Sequence, residues 1–227
     1  MHSSFIQLLN EKRLARESVA VVTELDGGEK VLLTAEEARN HPLSEELGRR
    51  FLSGKSGVVE TGQGQVFLQL YLPSPRIVVV GAVHISQHLY PMAQSCGYDV
   101  SIVDPRTAFA TPERFADVAL HAEWPEEIWP QLGVDAYTAL VALTHDPKID
   151  DYALKAALDA RCFYVGALGS RKTHAKRVAR LLENGVSEDA LSTIHSPIGL
   201  DIGSSSPAEI AVAIMGEIIA ELRTGSA

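Results

Sequence analysis

The sequence predicts an α/β protein. A small α+β domain, residues 1–72, precedes a doubly wound parallel sheet with its helices, residues 76–227. Three observations predict it. Pro73-Ser74-Pro75 sets a proline at both ends of a tripeptide, which favours extended backbone and breaks the chain into two parts. Beyond the break, short apolar β-branched runs alternate with segments of helical length, the pattern of successive strand–helix–strand crossovers. Before it, strand and helix patterns are mixed with glycine turns, and no such rhythm holds.

In chain order, Phe5, Leu8 and Leu9, with Lys12, predict a short amphipathic helix. Residues 18–25 (SVAVVTEL) read as a strand, and Asp26-Gly27-Gly28 turns the chain into a second strand at 31–33. Residues 43–52 read as a helix, with Ser44 ahead of paired glutamates as its start signal. Gly57–Thr61 and residues 65–72 are expected to pair as a hairpin through Gly62-Gln63-Gly64. After the prolines, residues 77–80 (IVVV) suit a buried parallel strand. A helix follows at 85–95, then a strand at 100–103 ending on Asp104. A weak third strand is expected at 118–120, a helix at 126–132, a strand at 138–143 (TALVAL) and a helix at 150–160. A fifth strand, 163–165, leads to a basic helix, 170–184, that stops at Gly185. A long helix, 207–223, closes the chain, and the last residues, 224–227, are expected to fray.

Composition bounds the function. The 227 residues are 46% hydrophobic and 22% charged, with a formal net charge of −9. These values exclude wholesale disorder, and the acidic balance argues against nucleic-acid binding. No apolar run approaches the ~20 residues that span a bilayer, and the N-terminus lacks a signal-peptide pattern. Cys96 and Cys162 make no disulfide framework, so a cytoplasmic protein with no membrane association is expected. Both cysteines are expected to be buried and structural, and Cys162 stands at a strand start, away from the ligand rim.

Four segments carry the candidate chemistry. The first is VGAVHIS after the first parallel strand, with Gly81, His84 and Ser86, where free N–H groups at a helix start favour an anion. Asp104 closes the next strand about 20 residues on, the position of a ribose-binding carboxylate in a Rossmann-like fold. Val83 fills the second glycine position and crowds a pyrophosphate, so a Rossmann-like fold without dinucleotide is an equal reading. The second is THDPKIDD. His145 titrates near neutral pH, and Asp146 or Asp150 could orient it; alternatively Asp150 caps the next helix. One histidine with carboxylates assigns no metal. The third is GALGSRK, with Gly166, Gly169, Ser170 as cap and Arg171 and Lys172 in the first helical turn. Cations there oppose the helix dipole unless an anion lies between them; the alternative is a solvated basic helix running on through Lys176, Arg177 and Arg180. The fourth is residues 195–203, a loop with Asp201, either a binding wall or a packed connector.

Taken in order, IVVVGAVHIS, VSIVDPR, LTHDPKIDDYAL, FYVGALGSRKTHAKR and IHSPIGLDIGSSSPAEIAVAIMGEI resemble the XdhC/CoxI family of xanthine dehydrogenase accessory proteins. The resemblance covers residues 75–221. It implies a chaperone, rather than a catalyst, that binds molybdenum cofactor, assists its sulfuration and delivers it to a molybdenum hydroxylase of the xanthine dehydrogenase type. A cysteine desulfurase and a second copy of the chain are further implied partners. Gly81, His84, Asp104, Arg106, His145, Asp146, Asp150, Gly166, Gly169, Ser170, Arg171 and Asp201 fall in the matching motifs, and with Ser86 form the candidate cofactor-binding set. The sequence departs from the family at Val83, where a glycine is usual, and in residues 1–72, which lack the usual cysteine. Two other functions stand beside this one: an NAD(P)-dependent oxidoreductase, with NAD preferred if Asp104 binds a ribose hydroxyl, and a non-catalytic interaction protein.

Overall fold

A computed structural model describes residues 2–62 and 64–224. Gln63 of the expected hairpin turn and residues 225–227 of the tail lie outside the described residues. The described residues divide into two compact units, 2–73 with Arg223 and Thr224, and Ser74–Leu222.

The first unit contains α1 (His2–Leu14), β1 (Val19–Glu24), β2 (Lys30–Thr34), α2 (Ala35–Ala38), α3 (Ser44–Ser53), β3 (Gly57–Thr61) and β4 (Gly64–Tyr71). Its strands form one antiparallel sheet in the order β2-β1-β4-β3. The apolar run at the start of β1 is buried because β1 is a central strand; Ala20 and Val22 pack with Leu33, Leu47, Val66 and Leu68. The short α2 carries no periodic signal. It exists because Thr34 and Glu37 cap one another: the Glu37 N–H donates to Thr34 Oγ1 at 3.2 Å, and the Thr34 N–H donates to Glu37 Oε2 at 2.8 Å. Ser44 is the first residue of α3 and does not cap it; the start is favoured instead by Glu45 and Glu46 against the helix dipole.

The second unit contains β5 (Arg76–Val80), α4 (His84–Ser95), β6 (Asp99–Val103), β7 (Ala119–His121), α5 (Pro125–Leu132) and β8 (Thr138–Ala142). It continues through α6 (Pro147–Asp159), β9 (Tyr164–Ala167), α7 (Arg171–Glu183), α8 (Glu188–Ser192), β10 (Ile194–His195) and α9 (Pro207–Thr224). All its strands are parallel, in the order β10-β9-β8-β5-β6-β7. Counted from β5, this is the 3-2-1-4-5-6 order of doubly wound dinucleotide folds, whose ligands bind where the order reverses, outside the carboxyl ends of β5 and β8. Alternate residues of β5 face opposite layers. Ile77 and Val79 pack with Leu89 of α4 and Ile214 and Ile218 of α9. Val78 and Val80 pack with Ile149 and Leu154 of α6 and Leu181 of α7. Each such buried side chain contributes roughly 1.5–3 kcal/mol.

Three expectations are corrected here, and two short elements are added. Residues 188–195, beyond the basic helix, hold α8 and the edge strand β10, whose two residues are too few to show a period. Helix α6 begins at Pro147 rather than at 150, because Asp146 is its cap and proline fits the first helical position. Gly166 belongs to β9 and not to the loop after it. Cys96 is exposed, since it ends α4 beside the Gly97 turn, at the solvent end of the helix.

Candidate functional site

Gly81 follows β5 with φ +124. A Cβ there would meet Thr144 Cγ2 at 3.1 Å and the Thr144 nitrogen at 3.3 Å. The glycine is therefore what lets the turn after β5 lie against the turn after β8. Asp104, fully buried, fixes this turn: Oδ2 accepts from the Ala82 N–H at 2.8 Å and from Arg106 Nη2 at 2.7 Å, and Oδ1 accepts from the Arg106 N–H at 3.0 Å and Nε at 2.9 Å. Burial works to raise its pKa, but these bonds outweigh burial and hold it below the ordinary value. With four donors on two oxygens, Asp104 has no free acceptor for a ribose hydroxyl. Ser86 is equally engaged: it is buried, accepts from the Val83 N–H at 2.9 Å and donates to the Val83 carbonyl at 2.7 Å, tying off the first turn of α4. His84, the first residue of α4, is exposed.

The next turn along the sheet opens a cleft. It has a volume of about 260 Å³ and lies between the starts of α6 and α7. His145, Asp150 and Asp151 line one side, and Lys172, Thr173, Lys176, Arg177 and Arg180 the other. His145 adopts φ +61, an uncommon backbone for a non-glycine residue and a mark of a constrained site. Asp146 caps α6 by accepting from the Lys148 N–H at 3.0 Å. Gly169, at φ +143, lets the first turn of α7 approach; a Cβ there would meet Thr173 Cγ2 at 3.2 Å and His145 Nδ1 at 3.7 Å. Ser170 caps α7 through the Thr173 N–H at 3.2 Å.

Two buried, oppositely charged side chains face this cleft incompletely bonded. Arg177 is 2% exposed; its Nη2 donates to the Leu168 carbonyl at 2.9 Å, while Nε and Nη1 have no partner. Asp150 is 1% exposed; its Oδ1 accepts from the Thr144 hydroxyl at 2.7 Å, while Oδ2 has no partner. Leaving a buried polar group unbonded costs about 1–3 kcal/mol, more when it is charged. Burial pushes the Asp150 carboxyl up to about 6, against the pull of Thr144, the Arg177 charge and the nearby His145 N–H. Burial and the Arg177 charge lower the pKa of His145 and of His174, whose Nδ1 is also unpartnered, so both are neutral at pH 7. Arg180 is matched by Asp151, at 2.6 and 2.9 Å. With that pair closed, Lys172, Lys176 and Arg177 leave the cleft cationic and able to take an anion.

The sequence-derived candidates thus separate. His145 lines the cleft, Asp146, Gly169 and Ser170 shape it, and Gly81, Asp104, Arg106 and Ser86 build the adjoining turn. Gly166 is packed under Ile198, which a Cβ would meet at 2.7 Å. Arg171 and Asp201 are exposed and do not line the cleft. Sequence reasoning missed Arg177 as a buried group, naming it only in the alternative of a solvated basic helix. The available signal was its spacing one turn before Leu181, on the apolar side of α7. Among the described residues no three histidine, cysteine or acidic side chains converge in a way that could hold a metal ion. Burial pushes the Cys162 thiol up to about 12, so it is not a nucleophile at neutral pH.

A second polar cluster lies at the β9–β10 edge. Glu217 accepts from the Tyr164 hydroxyl at 2.6 Å and the Gly199 N–H at 2.8 Å, and its other oxygen lies 3.3 Å from His195 Nδ1. The Tyr164 and His195 rings stack at 4.7 Å. The bond to Glu217 raises the pKa of His195 despite its burial.

A parallel sheet in this order, with a glycine turn at its switch point and a cationic cleft beside it, defines a Rossmann-type domain with a cationic edge. Residues 77–218 match the XdhC Rossmann domain, and the chain belongs to the XdhC family. It is 33% identical over 156 residues to a probable xanthine dehydrogenase subunit of Bacillus subtilis (strain 168), covering 68% of this chain and 45% of that protein. It is 28% identical over 148 residues to the molybdenum cofactor insertion chaperone PaoD of Escherichia coli (strain K12), covering 65% of this chain and 40% of that protein. A crystal structure of a xanthine dehydrogenase from Bacillus halodurans shares the fold, with a TM-score of 0.63 and 22% identity over 93% of this chain and 61% of that one. The chain spans less than half the length of these curated relatives. No helix among the described residues is long and apolar enough to cross a membrane.

Proposed function

We propose that this protein is a cytoplasmic accessory protein that holds molybdenum cofactor and passes it to a molybdenum hydroxylase of the xanthine dehydrogenase type. The observation that carries the reading is Arg177: a buried guanidinium with two unpartnered N–H-bearing atoms, in a cationic cleft at the ligand edge of an XdhC-family sheet. The phosphate of the pterin is the anionic group such a cleft fits. At about 260 Å³ the cleft is smaller than sites that enclose whole ligands, so the pterin itself lies outside it, toward the Gly81 turn. Arg177, Lys172 and Lys176 hold the charge, and neutral His145 donates or accepts a hydrogen bond at the rim. Assistance in sulfuration, contact with a cysteine desulfurase and pairing of two copies belong to the same proposal. The dinucleotide alternative gains no support from the site, because Val83 crowds the glycine turn and the Asp104 carboxylate is fully engaged.

The test is to produce the protein in a host that makes the cofactor, purify it without oxygen, oxidise the released material and measure fluorescent pterin per chain. Near-stoichiometric pterin is expected, falling at least tenfold in Arg177→Met, since a charge-assisted bond is worth about 1.5–3 kcal/mol. Wild-type protein that carries no pterin from such a host overturns the reading.

A further inference from the structure

We propose that the cleft selects a tetrahedral phosphate bearing one proton, the terminal group of a phosphomonoester. One proton is shared between Asp150 Oδ2 and a ligand oxygen, while the Arg177 guanidinium and the ammonium groups of Lys172 and Lys176 hold the others. The proposal rests on the anion-site reading above and narrows it.

The geometry carries the argument. Three polar atoms of two side chains, each at least 98% buried, lack partners in one cleft: Asp150 Oδ2, Arg177 Nε and Arg177 Nη1. The two side chains make no direct ion pair with each other, so neither satisfies the other. A cation would suit Asp150 but is opposed by Arg177, Lys172 and Lys176. A carboxylate that places both oxygens on the cations of the cleft has no third oxygen for Asp150. A tetrahedral anion has one, but two bare anionic oxygens cannot share a buried contact without a proton between them. Sulfate and phosphodiesters carry no proton at neutral pH, whereas a phosphomonoester loses its second proton near 6. The groups acting on Asp150 are Thr144 and His145 from the turn after β8, Arg177 and Arg180 from α7 and, at longer range, Arg106 after β6, while Asp151, Lys172 and Lys176 line the same cleft. Burial sets the Asp150 carboxyl at about 6, in the same range as a phosphomonoester, so the proton is shared between groups of matched acidity.

The experiment is calorimetric titration of cofactor-free protein with inorganic phosphate and, separately, with sulfate, from about pH 6 to 8 at constant ionic strength. Wild-type protein is expected to prefer inorganic phosphate severalfold at pH 7, and sulfate binding is expected to take up a proton and weaken about tenfold per pH unit above the Asp150 step. In Asp150→Asn the amide donates to either anion, so the preference and the sulfate pH dependence disappear together. Equal wild-type affinities, no binding of either ion at millimolar concentration, or a preference retained in folded Asp150→Asn each overturns the proposal. The wild-type comparison decides the matter even if the variant does not fold. Pterin bound without phosphate preference sinks this proposal alone; phosphate preference without pterin sinks cofactor handling alone.

Discussion

Replacing Asp150 by asparagine has a second consequence, in stability. The folded carboxyl titrates at about 6 rather than the ordinary 3.8, so the folded chain holds this proton more tightly than the unfolded chain does. Below about pH 4 both states are protonated and Asp150 is neutral at no penalty. As pH rises from 3.8 to about 6 the unfolded chain ionises first, and the folded state loses stability; above that the deficit is constant. Moving a carboxyl across that interval corresponds to about 3 kcal/mol. Asparagine keeps the shape and the acceptor for the Thr144 hydroxyl without the charge, so Asp150→Asn should be more stable than wild type by about 3 kcal/mol at pH 8, and equal to it near pH 4. In a domain of this size that is a rise of roughly 6–12 °C in Tm at the higher pH. Urea unfolding followed by tryptophan fluorescence measures it, since Trp124 and Trp129 are the only tryptophans and both lie in the second unit. A variant that is destabilised, or whose gain is the same at pH 4 and pH 8, refutes the claim that a buried ionised carboxylate is held here at a cost. A gain in stability paired with loss of anion selectivity would mark Asp150 as a residue kept for its ligand.

Gly81→Ala should lose roughly 2 kcal/mol or more in the same unfolding assay, because its Cβ meets the Thr144 backbone at a positive φ that alanine rarely adopts. His195→Gln should destabilise the second unit more at about pH 5.5 than at pH 8.5. The raised folded pKa makes the Glu217 bond fully stabilising below the ordinary histidine value, and that stabilisation is lost as pH rises through the folded value; urea midpoints at the two pH values read the difference.

The architecture was largely legible from the sequence because its signals are local. The run Ile77–Val80, with no polar residue, can only be a strand covered on both faces, and the strand–helix rhythm after it leaves few topologies. The turn at Gly81 and the cap at Ser170 were legible for the same reason. Short elements were not: α2 rests on one reciprocal cap and β10 on two residues paired with β9, neither of which leaves a period in the text. Asp104 and Ser86 were legible as residues of the glycine region but not in their role. Whether a carboxylate presents its oxygens to a ligand or to Ala82 and Arg106 depends on backbone placed beside it by a different strand.

The sequence by itself determined the two-part organisation, the parallel sheet and the family, since hydrophobic period, proline breaks and motif order are properties of neighbouring residues. Only the tertiary structure decided which charges matter. Arg177 reads as one more cation on a basic helix, and Asp150 as one more acid at a helix start. Packing α7 against α6 removes both from water and leaves Arg180 paired with Asp151, while Arg177 and Asp150 keep bonding capacity that the protein itself does not fill. Burial is set by elements distant in sequence, and it is burial that turns an ordinary surface charge into a site.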